Sequence, residues 1–256
     1  MKALLETQGL SKTFGGLKAV QNVDLRVGAN RIVSVIGPNG AGKTTFFNCL
    51  SGIYRPDGGS IYLDDRDITG RAPHQVCKLG LSRTFQNIRL FPEMSVLQNV
   101  LVAQFQHSSV SPLPLLFRSK HFCDHEKQRR EEALGFLDFV GLARYAHALS
   151  SSLAYGLQRR LEIARALATK PRILLLDEPA AGMNPQETVE MVQLISRIRE
   201  RGLAILLIEH HMKVVMSISD EILVLDHGVQ IAHGAPEKVR NDPQVIKAYL
   251  GEEISH

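Results

Sequence analysis

The chain has 256 residues, of which 44% are hydrophobic, and carries a formal net charge of +4. This length suits one large α/β domain with a smaller subdomain, and the hydrophobic fraction is enough to fill a sizeable core. The longest apolar run, Leu203 to Ile208, is far shorter than the roughly 20 residues that a membrane-spanning helix requires. The composition therefore excludes a chain that crosses a bilayer through a helix of its own, and the mild basicity does not by itself identify a partner.

The first thirty residues alternate between apolar and polar positions, which predicts β-strands on either side of a turn at Gly15–Gly16. Glu6 and Gln8 interrupt the apolar positions at the N-terminus, so no signal peptide is expected there. Three cysteines, odd in number and without metal-ligand spacing, are typical of a reducing compartment: Cys49, Cys77 and Cys123. We expect these thiols to pack or to lie at the surface of a cytosolic protein.

A complete G-x-x-x-x-G-K-[ST] motif follows a predicted strand at 31–36 and precedes a helical pattern at 45–50. This order of strand, loop and helix distinguishes a phosphate-binding loop from a chance match. The candidate nucleotide-binding residues are Gly37, Pro38, Asn39, Gly40, Ala41, Gly42, Lys43, Thr44 and Thr45. The glycines let backbone N–H groups turn toward phosphate oxygens, while Lys43 would reach the β- and γ-phosphates and Thr44 would ligate Mg²⁺. The motif predicts binding of a nucleoside triphosphate.

Residues from about 92 to 168 have a helical character, with a looser insert at 106–124. The insert contains Pro112 and Pro114 beside apolar residues, and an exposed loop that packs its own apolar side chains is favoured over a membrane anchor. The basic cluster at 127–130 lies among glutamates, which favours a solvated helix face over a nucleic-acid patch. We therefore expect no nucleic-acid partner.

A glycine-bearing turn at 153–157 opens another helical pattern at 161–167. Free N–H groups and the helix dipole at such a start can bind an anion, although an ordinary helix start has the same pattern. The turn precedes an uninterrupted apolar run at 173–177, which is typical of a central parallel strand. Asp177 and Glu178 end this run, and adjacent carboxylates there can divide the tasks of holding a metal and polarising a water molecule. The alternative is that the two acids cap a following helix.

Asn184 and Pro185 predict the start of a helix that Gly202 ends. Its expected core-facing stripe consists of Val189, Val192, Ile195 and Ile198. The apolar run at 203–208 predicts the next strand, and a hairpin is expected to turn at His227–Gly228. Short helices are predicted at Pro236 and Pro243.

With its motifs in this order, the chain resembles the nucleotide-binding subunit of an ATP-binding-cassette (ABC) transporter over nearly its whole length. The resemblance implies an α/β fold: a P-loop NTPase (RecA-like) core with a mainly parallel sheet, a small antiparallel β-subdomain and a helical subdomain. It implies one ABC ATPase domain over 1–256. In that domain the β-subdomain and nucleotide-binding core would occupy about 1–90 and 169–235, the helical subdomain about 91–168, and a C-terminal helical tail about 236–256.

The resemblance also implies roles for single residues. Phe14 matches the aromatic residue that stacks on adenine. Gln86 matches the Q-loop glutamine, which touches Mg²⁺ and water and senses the membrane partner. Asp177 and Glu178 match the Walker B metal carboxylate and catalytic base, and His210 matches the switch histidine. Phe14, Gln86 and His210 would each be unremarkable alone, and the ordered set carries the prediction.

Residues 153–157 stand at the family's signature motif, which binds the γ-phosphate of ATP held by the opposite subunit, here through Ala154 and Gly156. Residues 180–185 stand at the D-loop. The resemblance thus implies ATP and Mg²⁺ as ligands and an Mg-dependent ATPase whose active unit is a homo- or heterodimer. ATP would hold the two subunits together, and hydrolysis would release them.

The family also implies membrane partners. Transmembrane permease subunits would dock in a groove near residues 87–100, which places this protein peripherally on the cytoplasmic face of the inner membrane. A periplasmic or extracytoplasmic substrate-binding protein would act on it only indirectly.

The usual signature reads Leu-Ser-Gly-Gly-Gln, and this chain departs from it. Ala154 lacks the serine hydroxyl, Tyr155 replaces the first glycine and Leu157 replaces glutamine, while Gly156 is retained. An apolar side chain at 157 cannot make the polar contacts of glutamine. We therefore expect ATP-driven dimerisation to be weaker by about 1–2 kcal/mol, the value of one net hydrogen bond.

Residues 180–185, 208–212 and 248–252 resemble the importer ATPases for branched-chain amino acids, and the insert suits the longer of the two ATPase types in those systems. His211 stands where this branch more often has aspartate. Related ATPases energise urea import or lipopolysaccharide export, and these remain alternatives. A soluble ABC ATPase that acts on ribosomes or DNA is disfavoured by the single cassette without heptads. A P-loop GTPase or small-molecule kinase is disfavoured by the Q-loop, signature and histidine.

Overall fold

The computed structural model describes residues 2–107 and 120–253. Internal contacts define two compact units, Met1–Arg83 with Arg172–His256, and Thr84–Pro171. Most of the insert at 106–124, including Pro112 and Pro114, lies outside the described residues. A helix already begins at Lys120, so the prediction of a loose segment is wrong for residues 120–124.

The strands in the described part of the chain all belong to the first unit. They are β1 (Ala3–Phe14), β2 (Leu17–Gly28), β3 (Ile32–Ile36), β4 (Gly58–Leu63), β5 (Arg66–Asp67), β6 (Leu81–Arg83), β7 (Ile173–Asp177), β8 (Ala204–Ile208), β9 (Glu221–Asp226) and β10 (Val229–Gly234). They form one sheet in the order β5-β4-β1-β2-β10-β9-β3-β8-β7-β6.

One side of this sheet is parallel: β6 pairs with β7, β7 with β8, and β3 with both β8 and β9. Every residue of β3, β7 and β8 is buried. Uninterrupted apolar runs suit this position because a parallel sheet is covered on both faces. The predicted P-loop NTPase core with a mainly parallel sheet is therefore confirmed.

The other side of the sheet is antiparallel, with β1 between β2 and β4, and β5 at the edge. The β1–β2 hairpin turns at Gly15–Gly16, as predicted. The β9–β10 hairpin turns at His227 and Gly228, whose φ angles of 46° and 79° are the left-handed values that a tight hairpin turn requires. The predicted antiparallel β-subdomain is confirmed.

The helices of the described residues are α1 (Lys43–Leu50), α2 (Pro73–Lys78), α3 (Val96–Gln104), α4 (Lys120–Phe139), α5 (Tyr155–Ala168), α6 (Pro185–Glu200), α7 (Met212–Ile218), α8 (Pro236–Arg240) and α9 (Pro243–Glu253). Short 3₁₀ helices lie at Phe105–His107, Ala143–Tyr145 and Ser150–Ser152. None of these helices is long and apolar enough to cross a bilayer.

Helix α6 begins with a reciprocal cap. Oδ1 of Asn184 accepts from the backbone N–H of Glu187 at 2.9 Å, and Oε2 of Glu187 accepts from the backbone N–H of Asn184 at 3.0 Å. The buried face of the helix consists of Met191, Leu194, Ile195 and Ile198. Val189 is 51% exposed, so its prediction as a core residue is wrong.

In the second unit, a buried amide fixes the loop before α3. Asn99 is fully buried, its Oδ1 accepts from the backbone N–H of Phe91 at 2.9 Å, and its Nδ2 donates to the Phe91 carbonyl at 3.1 Å. The Ser150 hydroxyl donates to the same carbonyl at 2.7 Å. These bonds hold the backbone of Phe91, within the segment near residues 87–100 where the family resemblance implies a permease groove.

Cys49 lies in α1 and is buried. Burial raises the pKa of its thiol to about 11, which keeps it neutral and unreactive. Cys77 is half-buried, and its Sγ lies 3.4 Å from the hydroxyl oxygen of Ser82. Both agree with the expectation of packing or surface thiols.

Candidate active site

Three adjacent parallel strands end at the same level of the sheet. Ile208 of β8 pairs with Val35 of β3 on one side and with Asp177 of β7 on the other. The phosphate loop follows β3, Glu178 follows β7, and His210 follows β8. Because parallel strands present their carboxyl ends at one edge, the first unit gathers these sequence-distant segments there.

The shape of the phosphate loop depends on two of its glycines. Gly42 has a φ of 97°, and a Cβ at this position would lie 2.1 Å from the carbonyl oxygen of Ala19. Gly37 has a φ of 149°, and a Cβ there would lie 2.0 Å from the carbonyl oxygen of Leu225. Only glycine allows the loop to approach β2 and β9 this closely.

The side chain of Lys43 folds back and binds the backbone of the phosphate loop. This side chain is buried, and Nζ donates to the carbonyl oxygens of Gly37 at 2.6 Å and Pro38 at 2.8 Å. Thr44 next to it is exposed. The first turn of α1 contains no acidic residue and its N-cap, Gly42, provides no side-chain cap, so neither an acidic residue of that turn nor a capping side chain competes with an anion at the positive end of the helix dipole.

Glu178 and His210 are in direct contact, since Nε2 of His210 lies 2.7 Å from Oε1 of Glu178. Glu178 has a φ of 49°, a left-handed conformation that a residue with a long side chain seldom adopts. Its backbone N–H donates to the carbonyl of Ile208 at 2.9 Å, which ties this turn to the end of β8. The side chain of His210 is 41% exposed and that of Glu178 is 15% exposed. Unusual backbone geometry next to a paired, accessible carboxylate is typical of a functional site.

Asp177 is held by a buried arginine. Nη2 of Arg83 donates to Oδ2 of Asp177 at 2.6 Å, and the two side chains are 5% and 2% exposed. Nη1 of the same guanidinium donates to Oδ1 of Asn48 at 2.6 Å and to the Ser51 hydroxyl at 3.1 Å. Asn48 belongs to α1, and Ser51 directly follows it. Arg83 therefore links the carboxylate at the end of β7 to the helix that follows the phosphate loop.

Phe14 lies at the end of β1 and is 42% exposed. Its ring meets Tyr54 edge-on, with centroids 5.2 Å apart and an angle of 74° between the planes. Nζ of Lys12 lies 5.4 Å from the Phe14 ring and pairs with Asp57 at 2.9 Å. An accessible aromatic ring that is supported from its edge can stack on a base.

In the second unit, α5 begins at the signature positions. Ala154 is its N-cap and has no side chain that could cap the helix, so its first N–H groups, including those of Tyr155 and Gly156, are not bonded by a capping side chain. The N–H of Leu157 donates to the carbonyl of Ala154 at 2.9 Å. An uncapped helix start of this kind is suited to an anionic partner.

Arg159 explains the tyrosine in the altered signature. This buried side chain donates to the carbonyl oxygens of Phe85, at 2.7 Å, and of Gln86, and to the hydroxyl of Tyr155 at 2.7 Å. It also pairs with Glu162 at 3.4 Å. Gln86 itself is exposed. The residue that replaces a glycine thus supports an arginine that holds the backbone of the predicted Q-loop.

Glu162 completes this network. Oε1 accepts from the backbone N–H of Arg89 at 2.8 Å, and burial raises the pKa of the Glu162 carboxyl despite this bond and the charge of Arg159. Arg165 donates to the Arg89 carbonyl, and burial lowers the pKa of its guanidinium. One face of α5 therefore binds the backbone of residues 85–89.

The structure distributes the predicted site residues between its two units. The first unit contains Phe14, the phosphate loop from Gly37 to Thr45, Asp177, Glu178 and His210. The second contains Gln86, Ala154 and Gly156. Of these, the structure joins Glu178 directly to His210, and Gln86 to the signature helix through Arg159.

Two family models match the chain. The model described as ABC transporter matches residues 20–181, which is more than half of the chain. The chain belongs to the ABC transporter family. The model described as branched-chain amino acid ATP-binding cassette transporter matches residues 229–255 of this ABC protein. Membership implies that the protein binds and hydrolyses ATP.

Similar proteins are known in both sequence and structure. The ABC protein is 52% identical over 252 residues to the high-affinity branched-chain amino acid transport ATP-binding protein BraF of Pseudomonas aeruginosa, covering 98% of this chain and 99% of BraF. It is 50% identical over 250 residues to the corresponding protein LivG of Escherichia coli K12, covering 97% of this chain and 98% of LivG. A crystal structure of an ATP-binding cassette of an ABC transporter in its ADP conformation superposes with a TM-score of 0.85 at 31% identity, covering 98% of this chain and all of that one.

Three charged residues of this ABC protein were missed by sequence reasoning: Arg83, Arg159 and Glu209. Each is buried or nearly so. Arg159 and Glu162 are three residues apart in a helix, a spacing that indicates a pair but not what the pair binds. Arg83 is the last residue of β6 and Glu209 directly follows β8, and a charge at the end of a strand was the only signal available.

Proposed function

We propose that this ABC protein is the ATP-hydrolysing subunit that energises an importer of branched-chain amino acids. The alignment of the phosphate loop, Asp177–Glu178 and His210 at one edge of the parallel sheet carries the catalytic part of this proposal. The cargo rests on the identity of 50% or more to BraF and LivG over nearly the whole chain.

The phosphate loop would bind the triphosphate of ATP through residues Gly37 to Thr45, with the Lys43 ammonium transferred from loop carbonyls to phosphate oxygens. The two short bonds of Lys43 support this, because they hold its charge inside the loop before nucleotide arrives. Phe14 would support the adenine. The uncapped start of α1 would add backbone N–H donors and a positive dipole.

The residues present fit Mg²⁺. The described residues contain no group of three or more His, Cys, Asp or Glu side chains that could form a metal site of their own. Mg²⁺ does not require one, because it is ordinarily held by one or two carboxylates together with phosphate oxygens and water. Asp177 would supply the carboxylate and Thr44 a hydroxyl oxygen, and Gln86 is the proposed third ligand. The ion neutralises charge on the transferred phosphoryl group when bound.

Glu178 would polarise the attacking water and His210 would hold it in place. A general base must reach the water in a defined orientation. The contact of 2.7 Å with His210 and the backbone bond to Ile208 restrict that orientation. His210 is the more exposed partner, which supports a role in which its ring would meet the γ-phosphate.

The active unit would be a dimer in which the signature of each subunit, through Ala154 and Gly156, binds the γ-phosphate of ATP held by the other. The uncapped N-terminus of α5 supports this role. Permease subunits would dock near residues 87–100, and the protein would lie at the cytoplasmic face of the membrane. A substrate-binding protein on the other side would act through the permease.

Uptake of labelled leucine tests the proposed function. Cells that lack their own importer ATPase would receive this chain, its Lys43→Ala variant, or Lys238→Ala, which removes an exposed lysine from α8. We expect uptake with the wild type and with Lys238→Ala, and none with Lys43→Ala, because the phosphate loop then lacks its charge. If uptake fails while the pure protein still hydrolyses ATP, the ABC assignment holds, but branched-chain amino acids are not the cargo. Urea import or lipopolysaccharide export would then be the alternatives.

The altered signature leads to a separate prediction. Leu157→Gln is expected to tighten ATP-driven dimerisation by about 5- to 30-fold, the equivalent of one net hydrogen bond of about 1–2 kcal/mol. Sedimentation in MgATP would measure this affinity in the Glu178→Gln background, in which we expect ATP to be bound but hydrolysed very slowly. Leu149→Gln is the matched control, because Leu149 is an exposed leucine of the same unit. Unchanged dimer affinity together with an unchanged ATPase rate would contradict the prediction.

A further inference from the structure

Glu209 is a buried carboxylate one residue before the switch histidine. Its side chain is only 2% exposed although it lies just beyond the end of β8. A buried charge is costly unless it is hydrogen-bonded or paired. The groups that satisfy Glu209 therefore indicate what it does.

Both carboxylate oxygens of Glu209 accept hydrogen bonds from backbone N–H groups at the active-site edge of the sheet. Oε1 accepts from the N–H of Ala180 at 3.0 Å, and Oε2 accepts from the N–H of His210 at 3.2 Å. Nδ1 of His211 lies 3.6 Å from Oε2, at ion-pair distance. The histidine that departs from the branch's usual aspartate thus faces a carboxylate, where an aspartate would bring a second negative charge.

These contacts close a ring around the proposed catalytic pair. Ala180 follows Glu178 by two residues and opens the D-loop, whereas His210 touches Glu178 through its imidazole at 2.7 Å. The N–H of Ala181 donates to the Glu178 carbonyl at 3.2 Å, so the turn that carries Glu178 is compact. Glu209 joins the two backbone segments from which the Glu178 and His210 side chains project.

We infer that Glu209 is a positioning residue that sets the distance between Glu178 and His210 and couples it to the first residue of the D-loop. The inference rests on the proposed roles of Glu178 and His210. Glu209 contacts neither ATP nor water in this role. It acts through the two N–H groups that it holds, because a small displacement of a base from its water can lower the rate strongly.

A merely structural role would have a different signature. Asp220 is the matched control, because its carboxylate also accepts from backbone, the N–H of Ile32 at 2.8 Å, and pairs with Arg31 at 3.0 Å. Asp220 directly precedes β9 and contacts the start of β3, at the end of these parallel strands opposite to the active-site edge. Loss of such a bond lowers stability without changing the geometry of Glu178 and His210.

The test compares Glu209→Gln, Glu209→Ala and Asp220→Asn in the full chain. We expect Glu209→Ala to lower kcat for ATP by about 10- to 100-fold with KM changed less than about twofold, and Glu209→Gln to fall between Glu209→Ala and wild type. Hydrogen exchange at the Ala180 amide should accelerate, and the His210 ring resonances should shift. Asp220→Asn should lower the melting temperature and leave kcat, the exchange rate of the Ala180 amide and the His210 resonances unchanged.

Two results would overturn the inference: wild-type kcat in Glu209→Ala, or a loss of kcat that merely follows the melting temperature across all three variants. The readouts also separate this inference from the proposed function. If the wild type hydrolyses no ATP, the proposed function fails. Exchange at Ala180 and the His210 resonances still decide in that case whether Glu209 holds the two segments.

Discussion

Glu178→Gln is expected to lower ATP hydrolysis by about 100- to 10,000-fold, the usual contribution of a general base. The amide has nearly the same size and can still accept from Nε2 of His210, but it cannot take a proton from water. Because Glu178 follows β7 and does not belong to the phosphate loop, the affinity for ATP should change little. The ATP-bound dimer should therefore accumulate, since hydrolysis no longer releases the subunits.

Phosphate release, binding of a fluorescent ATP analogue and sedimentation in MgATP measure these effects. Glu190→Gln provides the matched control, because it makes the same change of charge on α6, outside the site. Hydrolysis within threefold of wild type in Glu178→Gln would refute its role as the base. Loss of ATP binding together with hydrolysis would instead assign Glu178 to the nucleotide cradle.

The parallel core could be predicted because burial on both faces leaves a direct mark on the sequence. Strands β3, β7 and β8 are apolar apart from Ser34 in β3 and the terminal Asp177 of β7, and each is buried throughout. The phosphate loop is equally explicit, because its glycines are required by backbone geometry and not by packing alone. Local chemistry also predicts the start of α6, where the cap involves residues only three apart.

Ile195 and Ile198 of the predicted stripe on α6 are buried, and the error at Val189 has a simple geometric cause. Val189, Val192, Ile195 and Ile198 are spaced by three residues, and each step of three falls about 60° short of a full turn. After three such steps, Val189 and Ile198 lie on opposite faces of the helix. The buried set Met191, Leu194, Ile195 and Ile198 alternates steps of three and one, which keeps it on one face.

The polar contacts of the site could not be predicted because they join residues far apart in the chain. Arg83 binds Asp177 from 94 residues away, Arg159 binds Phe85 from 74 residues away, and Glu209 binds Ala180 from 29 residues away. Periodicity and short motifs describe neighbours along one element. They contain no information about which charged side chain meets which backbone group once the sheet has formed.

Arg83→Met is expected to destabilise the first unit by about 3–5 kcal/mol, because it removes the cation that pairs with a buried carboxylate. Both side chains are at most 5% exposed, so water cannot replace the guanidinium. The same substitution removes donors to Asn48 and Ser51, which adds to the loss. Methionine retains much of the length and flexibility of the arginine side chain, which limits the cavity that it leaves.

A double-mutant cycle separates the lost ion pair from the lost packing. Asp177→Asn removes the buried charge, so Arg83→Met should cost less in that background than in the wild type, by at least about 1 kcal/mol. Urea denaturation followed by fluorescence or circular dichroism would measure all four proteins, with Arg66→Met as the control at an exposed arginine of β5. If Arg83→Met shifts the midpoint no more than Arg66→Met does, or if the two losses add without coupling, the guanidinium does not stabilise Asp177. A coupled loss would establish that the proposed metal ligand depends on Arg83, and through it on the helix that follows the phosphate loop.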